Sequence, residues 1–391
     1  MYLGDNVATS GEEISKQFAA HFSSNFIPSI CPNSSRTSSR SYSQFGLGKI
    51  TFTEGKLLKL LRNLDACKGP GPDGLPALFV KRCSPGLSSP LKIIFNQSIA
   101  SSKFPSEWKI ANVVPIFKKG ESNISSNYRP ISLLSIFAKL FEAAVCPVIT
   151  SHIKPQLAPQ QHGFCVGRST TTNLLSYVND ISKSLDNRIQ VDSIYTDFSS
   201  AFDKVNHKLL IKKLEQFGIF GSLLNWFASY LSERKQRVVL RGYESPPYLS
   251  SSGVPQGSHL GPILFVVFVN DIVNSIKHCK CSLYADDLKI YRDIKTNSDV
   301  LLLQQDLDAI QNWCHDNLMI LNTSKCYHMT FTRNRNILAS KYSLNGVSLQ
   351  KVDTIRDLGV QLDRKLSFVN HFDTIVAKAL KIGRFCKESL F

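Results

Sequence analysis

Four residues constrain this chain more than any others. Tyr284-Ala-Asp286-Asp287 sets two adjacent carboxylates between the β-type runs Cys281-Ser-Leu and Leu288-Lys-Ile-Tyr291. Within a sheet the pair would be buried charge without compensation, so it belongs at the tip of a hairpin. Adjacent carboxylates also repel each other and ask for a cation. Mg²⁺ suits them, being hard, oxygen-seeking and usually held by one or two carboxylates plus substrate phosphates. A third acid strengthens the reading. Ile194-Tyr-Thr-Asp197-Phe198 ends an apolar strand just before a helical stretch, and a strand beside the hairpin would bring Asp197 next to Asp286. Three acids from two adjacent strand ends are what a two-metal phosphoryl-transfer site needs.

The charge balance points the same way. The 391 residues carry 46 Lys+Arg against 30 Asp+Glu, a formal charge of +16, which asks for a polyanion such as nucleic acid. Thirteen basic and five acidic residues fall between Gly46 and Pro130, and six basic against two acidic from Arg364 to Phe391. Two basic regions around an acidic centre fit a channel that holds a phosphate backbone over a metal site. A hydrophobic share of 43% excludes a wholly disordered chain. The longest purely apolar run, Ile263 to Val269, is far short of the roughly 20 residues of a membrane span, so no membrane partner is expected. The first ten residues have no signal-peptide pattern. The ten Cys are scattered with no C-x-x-C pair, which favours reduced thiols in an intracellular protein over a zinc centre.

Along the chain, a helix is expected from Ile14 to Phe26, then a Ser/Arg-rich linker from Asn33 to Ser43, then helical stretches near 57–64, 88–101, 135–151 and 170–185. Lys68-Gly-Pro-Gly-Pro-Asp-Gly74 must be a loop. Short strands at 113–117 and 131–134 flank a polar loop. Beyond residue 190 come a strand to Phe198, a helix at 203–217, a strand at 237–241, a Gly/Pro/Ser turn at 251–262 and an apolar helix at 263–276. The acidic hairpin follows, then a helix at 298–319 capped by Ser298, a strand at 327–331 and further short strands to 363. Mixed helices and strands indicate an α+β or α/β core.

These motifs, in this order, resemble the reverse transcriptases of non-LTR (LINE-type, jockey-like) retrotransposons over roughly residues 50–385. Tyr-Ala-Asp286-Asp287 resembles the family's hairpin signature, and Asp197-Phe-Ser-Ser-Ala-Phe202-Asp203 its strand–helix acid motif. Gly253-Val-Pro-Gln256-Gly257-Ser258-His-Leu260-Gly261-Pro262 is similar to its template and nucleotide loop. Asn127-Tyr-Arg129-Pro130-Ile-Ser-Leu133, Gln161-His-Gly163-Phe164 and Gly167-Arg168-Ser169 resemble its fingers motifs. Leu321-Asn322-Thr-Ser-Lys325 resembles its post-hairpin lysine motif, and Leu358-Gly359-Val360 its primer-side strand.

The resemblance implies an α+β right-hand polymerase. It divides into an N-terminal helix and linker (1–45), fingers (46–189), a palm with an antiparallel sheet flanked by helices (190–363) and the start of a thumb (364–391). It implies two Mg²⁺, with Mn²⁺ as a substitute, held by Asp197, Asp286, Asp287 and the Phe198 carbonyl. Phe202 would exclude a ribose hydroxyl at the incoming nucleotide. Arg129 and either Lys118 or Lys119 would meet the triphosphate. Gln256 would bond the nucleotide sugar or the template strand, and Gly163, Phe164, Arg168 and Gly257 would steer the template. Lys325 would protonate leaving pyrophosphate. The partners would be an RNA template, a DNA primer and dNTPs, in the nucleus or a cytoplasmic ribonucleoprotein. Such a core normally sits in a longer polyprotein with an endonuclease, so the chain reads as a piece of one. The rivals are another palm-type polymerase and a relic that binds nucleic acid without catalysis.

Overall fold

The computed structural model describes residues 2–3, 6–28 and 46–388. The Ser/Arg-rich linker expected at Asn33–Ser43 lies outside the described residues. The chain forms two compact units. One comprises 1–157, 200–269 and 317–319, and the other 158–199, 270–316 and 320–391.

In the first unit, Ile110–Phe117 pairs antiparallel with Tyr128–Leu134 and parallel with Lys235–Leu240, which continues to Tyr243–Glu244 and also pairs with Tyr248–Leu249. Alternate residues of the first strand are buried, the period-2 signature of a sheet with one covered face. Phe18 and Phe22 of helix Gly11–Ser23 pack on that sheet against Val113 and Val238. The helix starts three residues before the expected Ile14, because Ser10 and Glu13 close a capping box ahead of it. An aromatic core joins the helices, with Phe95 and Phe141 stacked at 4.1 Å and Phe104 edge-on to Trp226 and Tyr230. Helix Ile136–Ile153, continued to Gln156, is long and apolar enough by length and composition to cross a membrane, a candidate that counting pure apolar runs overlooks. Its Phe141, Ala144, Val145 and Ile149 are wholly buried, which makes it a core helix.

In the second unit, five strands lie in the order Gln350–Val352, Tyr327–Phe331, Gln190–Thr196, Asp287–Ile294, Lys280–Tyr284. Gln190–Thr196 is buried at every position and takes the centre, antiparallel to both neighbours. One face, with Val191 and Tyr195, packs on Tyr177, Ile181 and Leu185 of helix Thr170–Asp186. On the other face Asp192 is kept from being an unpaired buried charge by Tyr342, which donates at 2.9 Å, and Gln190, which donates at 3.1 Å.

Several sequence expectations are corrected. The helix expected at 203–217 runs only from His207 to Gln216, because the Asn206 side chain accepts the Leu209 N–H and starts it there. Phe202 and Asp203 therefore lie in the preceding turn. The apolar helix ends at Val269 and tightens to a 3₁₀ segment, Asn270–Ser275. Ser298 lies inside helix Asn297–Asp316, and Asp299 instead accepts the N–H groups of Lys295 and Thr296. Leu358 and Gly359 form a turn, with φ +45° and +95°, between strands Thr354–Asp357 and Val360–Asp363. Two successive positive φ values suit the tip of a tight hairpin.

Candidate active site

In the second unit, Lys280–Tyr284 and Asp287–Ile294 form a hairpin whose two-residue tip is Ala285-Asp286. Leu288 is paired with Thr196, so the same register sets Asp287 opposite Asp197. Sheet pairing thus brings the acids together from residues ninety positions apart. The strand end at Asp197 is clipped from its other side. The Asp197 carbonyl accepts the Asn322 N–H at 2.7 Å, Ser199 N–H donates to the Ile320 carbonyl at 2.8 Å, and Phe198 bridges Leu321. The short turn Thr323–Lys325 then carries Lys325 Nζ to 3.8 Å from Asp197 Oδ2.

Asp197, Asp287 and Lys325 border a cavity of about 190 Å³, with Lys289, Tyr327 and Asp357 also on its wall. Desolvation in this cleft, followed by the negative charges of Asp286, Asp357 and Asp197, pushes the Asp287 carboxyl up to about 6. An all-oxygen set of mutually repelling carboxylates fits a hard divalent cation. Among the described residues no group of three or more His, Cys, Asp or Glu side chains stands close enough to hold a metal ion by itself. The described cysteines are all free thiols.

The turn at Ala285-Asp286 has a brace that no sequence motif assigns. The loop at 160–163 pairs with the hairpin's outer strand, His162 N–H to the Leu283 carbonyl at 2.9 Å and Leu283 N–H to the Gln160 carbonyl at 3.0 Å. Buried Gln161 accepts the N–H groups of both Gly163 and Ala285 on its Oε1. Ala285 has φ +55°, a conformation that costs a non-glycine residue about 1–2 kcal/mol. Gly163 lies so close that a Cβ there would overlap the Ala285 nitrogen and come within 2.9 Å of the Tyr284 carbonyl carbon. Phe164 is half exposed, also at positive φ. Arg168 donates to the carbonyls of Ala158 and Gln161, which fastens the loop. A second unassigned pair lies beside Asp287, where buried Lys289 contacts the Asp357 carboxylate and sits 4.5 Å over the Tyr177 ring. Neither brace follows any residue-type spacing. The only sequence signal for Gln161 is its place beside Gly163.

In the first unit, Lys118, Lys119 and Arg129 are exposed at the end of the Ile110–Phe117/Tyr128–Leu134 hairpin, where Lys118 N–H closes the loop on the Asn127 carbonyl at 2.8 Å. Phe202 stacks on Phe265 at 4.4 Å. Gln256 is fixed twice, by its carbonyl accepting Ser132 N–H at 2.8 Å and by its side chain donating to Asp203 Oδ1 at 3.0 Å. Gly257 has φ +110°, and a Cβ would stand 2.7 Å from the Ser132 carbonyl oxygen, so glycine is needed here for two backbones to approach.

Residues 116–362 match the family described as reverse transcriptase (RNA-dependent DNA polymerase). An RNA-directed DNA polymerase from the mobile element jockey of Drosophila melanogaster is 32% identical over 349 residues, 84% of this chain and 37% of its own length. A probable RNA-directed DNA polymerase from transposon BS of the same fly is 29% identical over 331 residues, covering 81% of this chain and 36% of that protein. The Pol polyprotein of an R2 element from Popillia japonica is 26% identical over 270 residues, 66% of this chain and 36% of the relative. The chain thus spans little more than a third of the length of these curated relatives. The family implies a polymerase palm fold and generally uses divalent metal ions. The chain belongs to the reverse transcriptase family.

Proposed function

We propose that this chain extends a DNA 3′-hydroxyl with dNTPs on an RNA template, as the polymerase core of a non-LTR retrotransposon. The observation that carries the reading is the sheet register that sets Asp197 opposite Asp287 at the Asp286 tip, with Lys325 3.8 Å away. Asp197, Asp286 and Asp287, with the Phe198 carbonyl, would hold two Mg²⁺, for which Mn²⁺ can substitute. Such ions supply activation of the attacking hydroxyl and neutralisation of charge on the leaving pyrophosphate. The chain's own residues do the rest. Lys325 stands to give a proton to pyrophosphate. Arg129 and one of Lys118 and Lys119 bind triphosphate oxygens, Arg as a planar fork and Lys as a point charge. Phe202 excludes a ribose 2′-hydroxyl, Gln256 contacts the nucleotide, and Gly163, Phe164, Arg168 and Gly257 border the template path. In this scheme residues 46–189 act as fingers, 190–363 as palm and 364–391 as the start of a thumb, in an intracellular ribonucleoprotein.

The test is extension of oligo(dT) on poly(rA) by the purified chain with Mg²⁺ or Mn²⁺, beside Asp286→Asn. The expected result is incorporation by the wild type and its loss in the variant. Equal incorporation by both would remove the acids from the site. Nucleic-acid binding without any incorporation would favour the relic.

A further inference from the structure

Segment 252–256 of the first unit is zipped to segment 202–205. Val254 N–H donates to the Phe202 carbonyl at 2.9 Å and Gly253 N–H to the Val205 carbonyl at 2.8 Å, while the Ser252 hydroxyl donates to the Asp203 carbonyl at 2.6 Å. Asp203 thus stands between Phe202 and the Gln256 side chain, and its Oδ1 accepts Gln256 Nε2 at 3.0 Å. Burial pushes the Asp203 carboxyl up to about 6, against the opposing pull of Gln256, Lys118 and Lys204. The hydrogen bond from Gln256 and the positive charges of Lys118 and Lys204 favour its ionised form.

A carboxylate only accepts hydrogen bonds, so the Gln256 amide must face it with N–H₂ and turn its carbonyl oxygen the other way. An outward acceptor cannot bond phosphate oxygens, which are acceptors themselves. It suits a hydroxyl, and the sugar of a deoxynucleoside triphosphate carries only one, at the 3′ position. We infer that Asp203 is a positioning residue that fixes the Gln256 amide so that its oxygen accepts the 3′-hydroxyl of the incoming nucleotide. This rests on the proposed contact between Gln256 and the nucleotide.

The experiment reads binding, so it needs no turnover. The full chain is assembled on poly(rA) with a dideoxy-terminated oligo(dT) primer, and the dissociation constants of dTTP and 3′-deoxy-dTTP are compared. Wild type should favour dTTP. Asp203→Ser, too short to reach Gln256, should lose that preference by about tenfold, one hydrogen bond's worth, with primer–template affinity unchanged. Asp203→Asn keeps the shape but can also donate, so it no longer forces the Gln256 amide one way and should weaken the preference, which a merely structural role would not predict. Gln256→Ala should lose the preference, and adding Asp203→Ser to it should do no more. If Gln256→Ala removes the preference and Asp203→Ser retains it, the positioning role is wrong. If Gln256→Ala also retains it, the contact between Gln256 and the nucleotide is wrong. Should Asp203→Ser fail to fold, full retention of the preference in Asp203→Asn would overturn the positioning role and its weakening would support it.

Discussion

The side-chain oxygen of Gln161 accepts the backbone N–H of Ala285 at 2.9 Å, and the same oxygen accepts Gly163 N–H at 2.8 Å. One buried amide thereby holds a turn at positive φ that carries Asp286. Gln161→Ala would leave two enclosed N–H groups unpaired, each worth about 1–3 kcal/mol. The expected outcome is a lower urea midpoint and a fall in primer-extension kcat with the KM for dTTP little changed, because the turn aims the acids and does not bind the nucleotide. Unaltered kcat would show that the turn keeps its shape without the brace.

Gly163→Ala tests the same turn by steric means. The added methyl overlaps backbone atoms of Tyr284 and Ala285, which cannot swing aside as a side chain can. A displacement of about 1 Å at the acids would lower kcat on the order of 100-fold. Gly86→Ala is the control. Its Cβ meets nothing within 4 Å inside helix Ser84–Ala100, so it should raise stability by about 0.5–1 kcal/mol and leave extension unchanged.

Asp287 links pH, metal and stability. Its carboxyl is raised to about 6 from an ordinary 3.8, so the folded state holds the proton more tightly than the unfolded chain. Stability from this group is present below about pH 4 and lost as pH rises toward 6. In metal-free buffer Asp287→Asn should melt higher than wild type at pH 7, and the gap should close at pH 4. Mg²⁺ should raise the wild-type Tm at pH 7 and move the variant less. A variant that melts no higher at pH 7 would mean that neither burial nor the neighbouring acids destabilise the Asp287 carboxylate.

Phe202 is stacked flat on Phe265 at 4.4 Å, so its ring has little freedom to yield to a larger sugar. Phe202→Val should admit ribonucleotides, lowering the kcat/KM preference for dTTP over UTP by roughly tenfold or more. An unchanged ratio would move the sugar gate elsewhere.

Lys325 is mostly exposed, so Lys325→Leu should change stability by no more than about 0.5 kcal/mol. Its expected effect is on turnover, with a lower kcat and an altered solvent isotope effect. An unchanged isotope effect would remove the proton-donor role and leave Lys325 as a neighbour of Asp197.

The acidic hairpin was readable because its rules are local. Adjacent Asp residues between β-type runs can only occupy a tip, and the two-residue turn at Ala285-Asp286 is that tip. The lysine motif was readable as a motif but its purpose was not. Asn322 and Ile320 turn out to clip the strand end at Asp197, and this clip is what brings Lys325 there. Leu358-Gly359 was misread as strand, since its two positive φ values leave no mark in hydrophobic periodicity.

By itself the sequence determined the order of elements, the tip at Asp286-Asp287, the strand that ends at Asp197 and the basic excess of the flanking segments, because these depend on neighbours a few residues apart. Only the tertiary structure decided that Gln190–Thr196 is the central strand, that Gln161 holds the turn at Ala285-Asp286, that Lys289 meets Asp357 and that Asp203 meets Gln256. Those contacts join residues 53 to 124 positions apart. Their partners are chosen by register and packing across whole sheets, which no local pattern encodes.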